Sequence, residues 1–558
     1  MRIFRTVGGA VVLIVAGHLT SDALRAQAAP DYTLRQLSPP GEPASRVSGA
    51  WAVDPRGEWV AFVGDVESAG ADAVYAMRRN GSDLHRLSPL SASGAIAELA
   101  FSPDGRRVLY RGDLEVDGLG EIWSVAPWES AAAAVKLNGA LTGAGALYFR
   151  VPGVGDRLAY VVDSGAGKEA WSVPFAGPSP LGVRLDPPAA GDETILNVFL
   201  RPDGEHLLIQ FLDQVATSAR AFTVPVAGPA TAAILLADET PGGCTAFAAD
   251  FTPDSTRLLY AGFCPPGSAF TQLWSVPATG PATAAVSLAG SFTTGGAVQG
   301  LAISPDSQRV VFSADRLVDE RIDLWSVPIL GPAAALVQLN PSLVTNGDVK
   351  NSFRISPDST RVAYIADQLS DERFFPYSVP IAGPSTEAVT LYQGILMTGG
   401  DALDLAFTPD SARVVFRMDL AVDQRFDLYW APADGSAAQS RITNRGSNPA
   451  PERSVAFRWY VHPDGERVLY QFDEFAALDE RGIGEQRLVG PYIADARLNG
   501  VPVAGGKVTF FELFPDGAGL VYRADETVDE KFELFTADLR RFGDGFEEGS
   551  TAAWPDLP

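Results

Sequence analysis

A turn built on proline, usually Pro-Asp, is followed by an apolar strand ten times along the chain, as in "SPDGRRVLY" from Ser102 and "SPDSQRVVF" from Ser304. Successive copies are 48 to 54 residues apart, measured between the prolines of their turns. These prolines are Pro55, Pro103, Pro152, Pro202, Pro253, Pro305, Pro357, Pro409, Pro463 and Pro515. Self-similarity at a steady period of this size is typical of solenoids and propellers. The 558 residues, which would otherwise suggest about three or four domains, therefore predict one repetitive architecture.

Each repeat contains four short segments with the character of β-strands. Strand A precedes the turn ("LDLAF" before Thr408), and strand B follows it ("ARVVFR"). Strand C is an aromatic phrase such as "DLWSVP", and strand D is a later run such as "LVQLN" at 336–340. Alternating apolar residues separated by Pro, Gly, Asp and Ser favour strands over helices. Four short strands per repeat predict a β-propeller blade, and blades must stack around an axis to bury both faces.

The phrases "FSPDGRRVLYRGD" and "ISPDSQRVVFSAD" resemble the Pro-Asp propeller repeat of the TolB-like family. Similar units form the propeller of prolyl-oligopeptidase-type enzymes. The resemblance covers nearly all of the chain and implies an exported bacterial β-propeller, but it specifies the blade and not an activity. The α/β domain that precedes the propeller in TolB is absent here, so no TolB partner is carried over.

The last repeat has strands A, B and C but no clear strand D. The segment "YTLRQLS" at 32–38 has the character of a strand D and precedes the first strand A. We therefore expect this N-terminal strand to complete the last blade, which removes an exposed sheet edge. This closure favours one ring of about ten blades, and two smaller rings are the alternative because propellers usually have four to eight blades.

The N-terminus has the layout of a secretory signal peptide, predicted to end at residue 28. Arg2 and Arg5 precede the apolar run 7–17, and Ala26-Gln27-Ala28 is a small-x-small cleavage site. An uncleaved membrane anchor is the alternative. The protein is thus expected to be exported to the periplasm, the cell surface or the medium.

The propeller is predicted to occupy residues 29–541 of the exported chain. It is followed by a tail, 542–558, which contains "FEEGSTAAW" and could be a sorting motif or a disordered end. No other apolar run approaches the length of a bilayer span, so no membrane span is expected in the mature chain. We expect a monomer.

The chain is acidic, with a formal net charge of −25 from 43 Lys and Arg and 68 Asp and Glu. Such a charge repels nucleic acid and anionic lipid surfaces. Nucleic acid is therefore excluded as a partner, while a protein, peptide or glycan ligand remains open.

Much of this charge lies in a repeated acidic phrase between strands B and C. In the sixth repeat its members are Asp315, Asp319 and Asp323, spaced four residues apart. A hairpin centred on the second acid would place the first and third opposite each other, where like charges destabilise the pair. The structural interpretation is that Arg321, with Arg425 and Lys531 in other repeats, offsets this repulsion. The alternative is calcium bound by Asp315, Asp319 and Asp323, because calcium favours several oxygen ligands on a short loop. No other cofactor is indicated.

Two cysteines, Cys244 and Cys264, lie equally far from the turn centre near Asp254. They should face each other across the A–B hairpin of the fifth repeat. In an exported chain this arrangement predicts a disulfide that fastens one blade.

No catalytic motif stands out. His85, His206 and His462 fall at different positions of three different repeats, and neither a nucleophile elbow nor a metalloprotease motif is present. The sequence therefore predicts a non-catalytic binding or scaffold protein that recognises its ligand through the acidic loop face or the channel mouth. A propeller lyase or hydrolase acting at the central channel is one alternative, and a calcium-stabilised cell-surface protein is another.

Overall fold

The computed structural model describes part of the chain, and all statements below refer to that part. The described residues are 34–37, 47–68, 70–91, 96–139, 143, 145–189, 192–213, 218–238, 245–263, 271–293, 296–394, 400–422, 424–443, 453–474, 481–489, 496–500, 506–526 and 531–539. The expected signal peptide, 1–28, and the expected tail, 542–558, lie outside these residues, so both stay predictions.

The protein is a ten-bladed β-propeller, as the repeat predicted. Forty strands form ten four-stranded sheets, and neighbouring strands within each sheet are antiparallel. We number the blades along the chain and label their strands A to D from the channel outward. Strands A of adjacent blades lie against each other around the axis, which makes strand A the wall of a central channel.

The strands of blades 1 to 5 follow in the order A, B, C, D. Blade 1 has Val47–Val53, Trp59–Gly64, Ala73–Arg78 and His85–Arg86. Blade 2 has Ile96–Phe101, Val108–Gly112, Glu121–Val125 and Val135–Lys136. Blade 3 has Gly145–Arg150, Arg157–Asp163, Lys168–Pro174 and Val183–Arg184. Blade 4 has Glu193–Leu200, His206–Asp213, Ser218–Pro225 and Ile234–Asp238. Blade 5 has Thr245–Phe251, Arg257–Phe263, Thr271–Pro277 and Val286–Ser287.

The remaining five blades have the same order. Blade 6 has Val298–Ile303, Arg309–Ala314, Asp323–Pro328 and Val337–Gln338. Blade 7 has Arg354–Ile355, Arg361–Ala366, Phe375–Pro380 and Val389–Thr390. Blade 8 has Ala402–Phe407, Arg413–Val422, Arg425–Pro432 and Ser440–Arg441. Blade 9 has Arg453–Val461, Arg467–Glu474, Arg481–Arg487 and Ala496–Arg497. Blade 10 has Val508–Leu513, Gly519–Ala524, Glu533–Asp538 and, as strand D, Leu34–Gln36.

Strand D is shorter than its sequence suggested, because only two residues of most outer strands pair with strand C. In blade 6 the pairing is limited to Val337 and Gln338, although the apolar run covers 336–340. Single 3-10 turns precede strand D in six blades: Ala131–Ala133, Ser179–Leu181, Ala230–Ala232, Ala282–Ala284, Ala333–Ala335 and Ser385–Glu387. None of the described helices is long or apolar enough to cross a membrane.

The core consists of layers between blades, and each strand B contributes to two of them. In blade 6, Val310 and Phe312 pack in a cluster with Leu259 of blade 5. Val311, between them in sequence, packs instead with Tyr364 of blade 7. Alternate side chains of a strand point to opposite faces, so both faces of the blade are apolar and both need a neighbour.

The first strand of the chain closes the ring, as its sequence predicted. Leu34–Gln36 pairs antiparallel with strand C of blade 10, with Leu34 opposite Ala537 and Gln36 opposite Phe535. Leu37 then packs in one apolar cluster with residues from blades 1 and 10. An ion pair of 2.8 Å between Arg79 and Asp516 joins the same two blades at the rim. The prediction of a single closed ring is therefore confirmed.

The Pro-Asp turns of neighbouring blades are linked by hydrogen bonds along one rim. The backbone N–H of Asp254 donates to Ser307 Oγ of the next turn at 3.1 Å, and Asp306 donates to Ser359 Oγ at 3.0 Å. The φ of Ser307 is 62°, a value that glycine adopts in the same place at Gly105. A left-handed conformation costs a non-glycine residue about 1–2 kcal/mol. The bond to the neighbouring blade offsets part of that cost.

The predicted disulfide partners, Cys244 and Cys264, lie outside the described residues. The backbone next to them is described, and it pairs Thr245 with Phe263 across the A–B hairpin of blade 5. That register agrees with the hairpin on which the disulfide prediction rests, and the disulfide itself stays a prediction.

Replacing Leu37 with alanine tests closure by the first strand. Because Leu37 is 2% exposed within the cluster of blades 1 and 10, we expect a loss of about 2–5 kcal/mol and a lower Tm. The matched control is Leu84→Ala, since Leu84 is 37% exposed and should leave Tm almost unchanged. Thermal melting followed by circular dichroism measures both. An unchanged Tm for Leu37→Ala would contradict closure.

Two substitutions of Ser307 separate its hydrogen bond from its backbone strain. Ser307→Ala removes the hydroxyl and keeps a side chain at positive φ, so we expect a loss of about 1 kcal/mol. Ser307→Gly removes the same hydroxyl but relieves the strain, so it should be the more stable variant. Thermal melting gives the order. If the alanine variant were as stable as the glycine variant, the positive φ would not be costly here.

Candidate functional site

The third acid of each acidic phrase is buried at the start of strand C and is held by nearby side chains. Asp323 is fully buried, and its Oδ2 lies 3.0 Å from Arg321 Nη2. Its Oδ1 accepts hydrogen bonds from Gln338 Nε2 at 2.9 Å and Asn340 Nδ2 at 2.8 Å. Both oxygens are thus satisfied by the protein, as a buried carboxylate requires.

The same arrangement recurs in other blades with different cations. The pairs are Lys136–Glu121 at 2.7 Å in blade 2, Arg441–Asp427 at 2.5 Å in blade 8 and Lys531–Glu533 at 3.4 Å in blade 10. Arg321 and Lys531 therefore pair with the third acid of their own phrase, as the structural interpretation expected. In blade 8, Arg441 of strand D pairs with the third acid, Asp427.

The first acid of the phrase fastens two loops of the same blade. Asp367 Oδ1 accepts the backbone N–H of Asp348 at 2.5 Å, and its Oδ2 accepts that of Glu372 at 3.1 Å. In blade 8, Asp419 Oδ1 accepts the backbone N–H of Asp401 at 2.5 Å, and its Oδ2 accepts that of Gln424 at 3.0 Å. Each of these aspartates ties the segment before strand A to the loop between strands B and C.

The expectation that the first and third acids face each other is wrong by one residue. In blade 6, Asp323 is paired with Ala314, which immediately precedes Asp315. In blade 8, Asp427 is likewise paired with Met418. A shift of one residue turns a side chain to the other face of a sheet. The two carboxylates therefore serve different contacts and do not repel each other directly across the strands.

The three candidate calcium ligands have different environments. Asp323 is fully buried in its side-chain network, Asp315 accepts the N–H of Ala297 at 2.6 Å, and Asp319 is exposed at the loop tip. Among the described residues they do not form a group with ligand atoms within 4.8 Å of one another. Calcium binding by this phrase stays a prediction.

The described residues contain one close group of possible metal ligands, in the A–B turn of blade 4. It consists of Asp203, Glu205 and His206, with ligand atoms within 4.8 Å of one another. Arg201 already forms an ion pair with Asp203, however. Burial lowers the pKa of His206, and the positive charge of Arg201 lowers it further. A cation would have to displace this guanidinium, so the group is better described as an ion-paired turn.

One position of strand A varies strongly between blades that otherwise repeat. It lies three residues before the turn proline, or two in blade 3, on the strand that borders the channel. Its occupants are Arg150, Phe199, Asp250, Arg354, Tyr460 and Glu512, with alanine at Ala52, Ala100, Ala302 and Ala406. Five of the six large side chains are exposed, and Phe199 is partly buried. In a repetitive fold, such variation gives the channel wall its chemical character.

A β-bulge of unusual length reshapes this wall in blade 9. There Val455 pairs with Phe472 and Trp459 with Tyr470, so three residues of strand A oppose one residue of strand B. Most blades insert a single residue at this point, and blade 1 has the same long bulge between Val47 and Trp51. Bulges redirect side chains. Phe457 lies on this bulge of the inner strand, with 86% of its surface exposed.

Four side chains on the inner strands of blades 9, 10 and 1 contact one another, and we call them the aromatic ridge: Arg458, Tyr460, Phe510 and Trp51. Arg458 stacks on Phe510 with its guanidinium carbon 3.7 Å from the ring centre. Its Nη1 also donates to the Tyr460 hydroxyl at 3.2 Å. Phe510 meets Trp51 edge to face, with ring centres 5.0 Å apart and an interplanar angle of 83°. These contacts give the ridge a defined shape.

Two polar side chains of blade 8 hold the bulge in place. Asp404 of blade 8 accepts Trp459 Nε1 at 2.7 Å and forms an ion pair of 3.0 Å with Arg417. Arg417 is 2% exposed, donates to the carbonyl of Val455 at 3.2 Å, and lies 4.9 Å from the Phe457 ring centre. The bulge is thus anchored on both sides.

Next to the ridge lies a cavity of about 530 Å³ between blades 10, 1 and 2. Trp51 and Phe510 line it together with the carboxyl groups Glu98 and Glu512. Desolvation raises the pKa of Glu512 above its ordinary value, and the charge of Arg458 only partly opposes this effect. The cavity therefore combines aromatic surface with a carboxyl group whose pKa is raised.

Sequence reasoning missed this site, although two signals were present. The run "FRWY" at 457–460 breaks the alternation expected of strand A. The interval between Pro409 and Pro463 is also the longest, at 54 residues. The acidic residues recur at a regular spacing and were therefore easier to recognise than the irregular residues of the inner strands.

Comparison with protein-family models and with curated proteins finds no match. Among solved structures, the chain is similar to an oligogalacturonate lyase in complex with manganese, with 14% identity, a TM-score of 0.34, and coverage of 67% of this chain and 96% of the lyase. It is also similar to prolyl oligopeptidase B from Galerina marginata, with 10% identity, a TM-score of 0.37, and coverage of 68% and 55%. At such values neither structure carries an argument about activity.

Neutralising Asp323 tests whether the acidic phrase is structural. Asp323→Asn leaves Arg321 without its carboxylate and disturbs the bonds from Gln338 and Asn340, so we expect a loss of about 1–3 kcal/mol. Asp319→Asn is the matched control and should be neutral, because Asp319 is exposed. Melting curves with calcium and with a chelator measure both effects. A calcium-dependent rise in Tm that both variants lose would instead support the calcium site.

Proposed function

We propose that the protein is an exported, non-catalytic binding module of the TolB-like propeller kind, and that it recognises its ligand on the channel wall. The observation that supports this most directly is the exposure of Phe457, at 86%, on a bulge that buried side chains hold in place. Loops and bulges fixed on a rigid scaffold are common sites of recognition.

The aromatic ridge has the composition of a binding surface. Single exposed apolar residues need no explanation, but the inner strands carry the exposed rings of Phe457 and Tyr460 and the partly buried rings of Phe510 and Trp51. Aromatic rings with a few fixed polar groups are typical of ligand sites. A protein, peptide or glycan could each supply a complementary surface.

The acidic loop face is a weaker candidate, because much of its charge is used within the blades. Asp323 and Asp427 are buried in ion pairs, and Asp367 and Asp419 hold backbone N–H groups. These carboxylates are therefore not available to a partner. The side chains at the variable position of strand A, in contrast, remain accessible to a ligand.

An enzyme acting from the channel is the second candidate, because desolvation raises the pKa of both Asp250 and Glu512 on its wall. Carboxyl groups with raised pKa values are candidates for acid–base work. They belong to blades 5 and 10, however, which are half a ring apart, so they do not form a catalytic pair of the kind that glycosidases use. Binding is the function that the wall supports better.

Removing the exposed ring tests the channel-wall proposal. We expect Phe457→Ala to reduce binding to the best probes of a peptide and oligosaccharide array by about tenfold or more, which corresponds to about 1.4 kcal/mol. Leu330→Ala is the matched control, because Leu330 is 64% exposed and lies in the C–D turn of blade 6. Equal binding by wild type and Phe457→Ala would contradict the proposal, and so would equal losses in both variants.

A further inference from the structure

The cavity beside the aromatic ridge has two ring walls at nearly a right angle. Trp51 and Phe510 meet at 83° with centres 5.0 Å apart, so each presents a different surface to the same space. The faces of aromatic rings carry partial negative charge and attract cations within about 6 Å. The stacking of Arg458 on Phe510 at 3.7 Å shows that this chain already uses such an attraction here.

The cavity also contains one carboxylate that is not committed to an ion pair in the described part of the chain. Glu512 is exposed toward the channel on strand A, and no cation lies within salt-bridge distance of it among the described residues. Glu98, on the opposite side, is already engaged, since it pairs with Arg111 at 3.4 Å and accepts the N–H of Phe149 at 3.1 Å. Within the described part of the chain, Glu512 is therefore the cavity carboxylate that has no ion pair.

The cationic residue of the lining is turned to other contacts. Arg523 Nε donates to the carbonyl of Val47 at 3.1 Å, and its Nη1 donates to Thr509 Oγ1 at 3.2 Å. Its guanidinium also stacks on the ring of Phe532 at 4.2 Å. Arg523 thus makes its contacts with Val47, Thr509 and Phe532, and the cation whose charge acts on the Glu512 carboxylate is Arg458, which lies outside ion-pair distance.

We propose that this cavity binds a cationic group of the ligand, an ammonium or guanidinium such as the side chain of a basic peptide, between the Trp51 ring and the Glu512 carboxylate. The inference rests on the proposed binding at the channel wall and assigns its ligand class. A carboxylate and an aromatic face contribute to the same cation, so the two contacts reinforce each other. The acidic net charge of −25 favours the approach of such a ligand.

Binding should depend on pH in a defined direction. Because desolvation raises the pKa of Glu512, its charged form is lost at a higher pH than for an ordinary glutamate. A cationic ligand favours the charged form and therefore lowers this pKa when it binds. Affinity should consequently fall as the pH drops through the raised pKa, while a neutral ligand should show no such dependence.

The test uses the whole protein and two tetrapeptide probes in isothermal titration calorimetry. Tetralysine should bind, and the same peptide acetylated on every side chain should not. Glu512→Gln should weaken tetralysine binding by about tenfold or more and should abolish the pH dependence. Trp51→Leu should weaken it as well. Glu205→Gln is the matched control, because Glu205 is an exposed carboxylate on the A–B turn of blade 4, and it should leave the affinity unchanged.

Three outcomes would overturn the inference. The first is that wild type does not bind tetralysine. The second is that Glu512→Gln and Glu205→Gln weaken binding equally, which would indicate attraction to the overall charge. The third is that neutral oligosaccharides bind in a manner that Phe457→Ala abolishes and Glu512→Gln does not. This last result would leave recognition by the channel wall intact and reject only the cationic ligand, whereas insensitivity to Phe457→Ala would reject the channel wall itself.

Discussion

Every blade of this protein has two apolar faces, and the need to cover both governs the rest of the structure. In blade 6, Phe312 packs toward blade 5, while the adjacent Val311 packs toward blade 7. An open row of such sheets would leave an apolar face at each end, so the row has to become a circle. The hydrogen bonds between successive turns, such as that from Asp254 to Ser307, keep the rim in register.

The repeat made most of this fold predictable from the sequence. Turn prolines such as Pro305 located strands A and B, and the missing fourth strand of the last repeat pointed to Leu34–Gln36. The length of strand D was less predictable, because an apolar run such as 336–340 does not show how far it remains paired. Pairing there depends on the neighbouring strand and not on local preference.

The candidate site was predictable only in outline. The sequence indicated the channel as one of two recognition surfaces, but it did not reveal that Phe457 is displaced by a long bulge, which is set by a register between distant segments. It likewise identified the acids Asp315 and Asp323 without showing that they lie on opposite faces, since that depends on an offset of one residue. Both errors came from strand register, which charge spacing alone does not determine.

The pairing of Gln36 with Glu533 has a consequence for biogenesis, because 497 positions separate these two residues along the polypeptide. The ribosome delivers Leu34–Gln36 long before it delivers strand C of blade 10. During this interval the nascent chain carries an unpaired β-segment and an incomplete propeller whose terminal blades have uncovered apolar faces. Contacts between such remote segments form slowly. The ring can therefore close only after blade 10 has been synthesised. The late, open intermediate exposes apolar surface, which is what holdase-type chaperones bind.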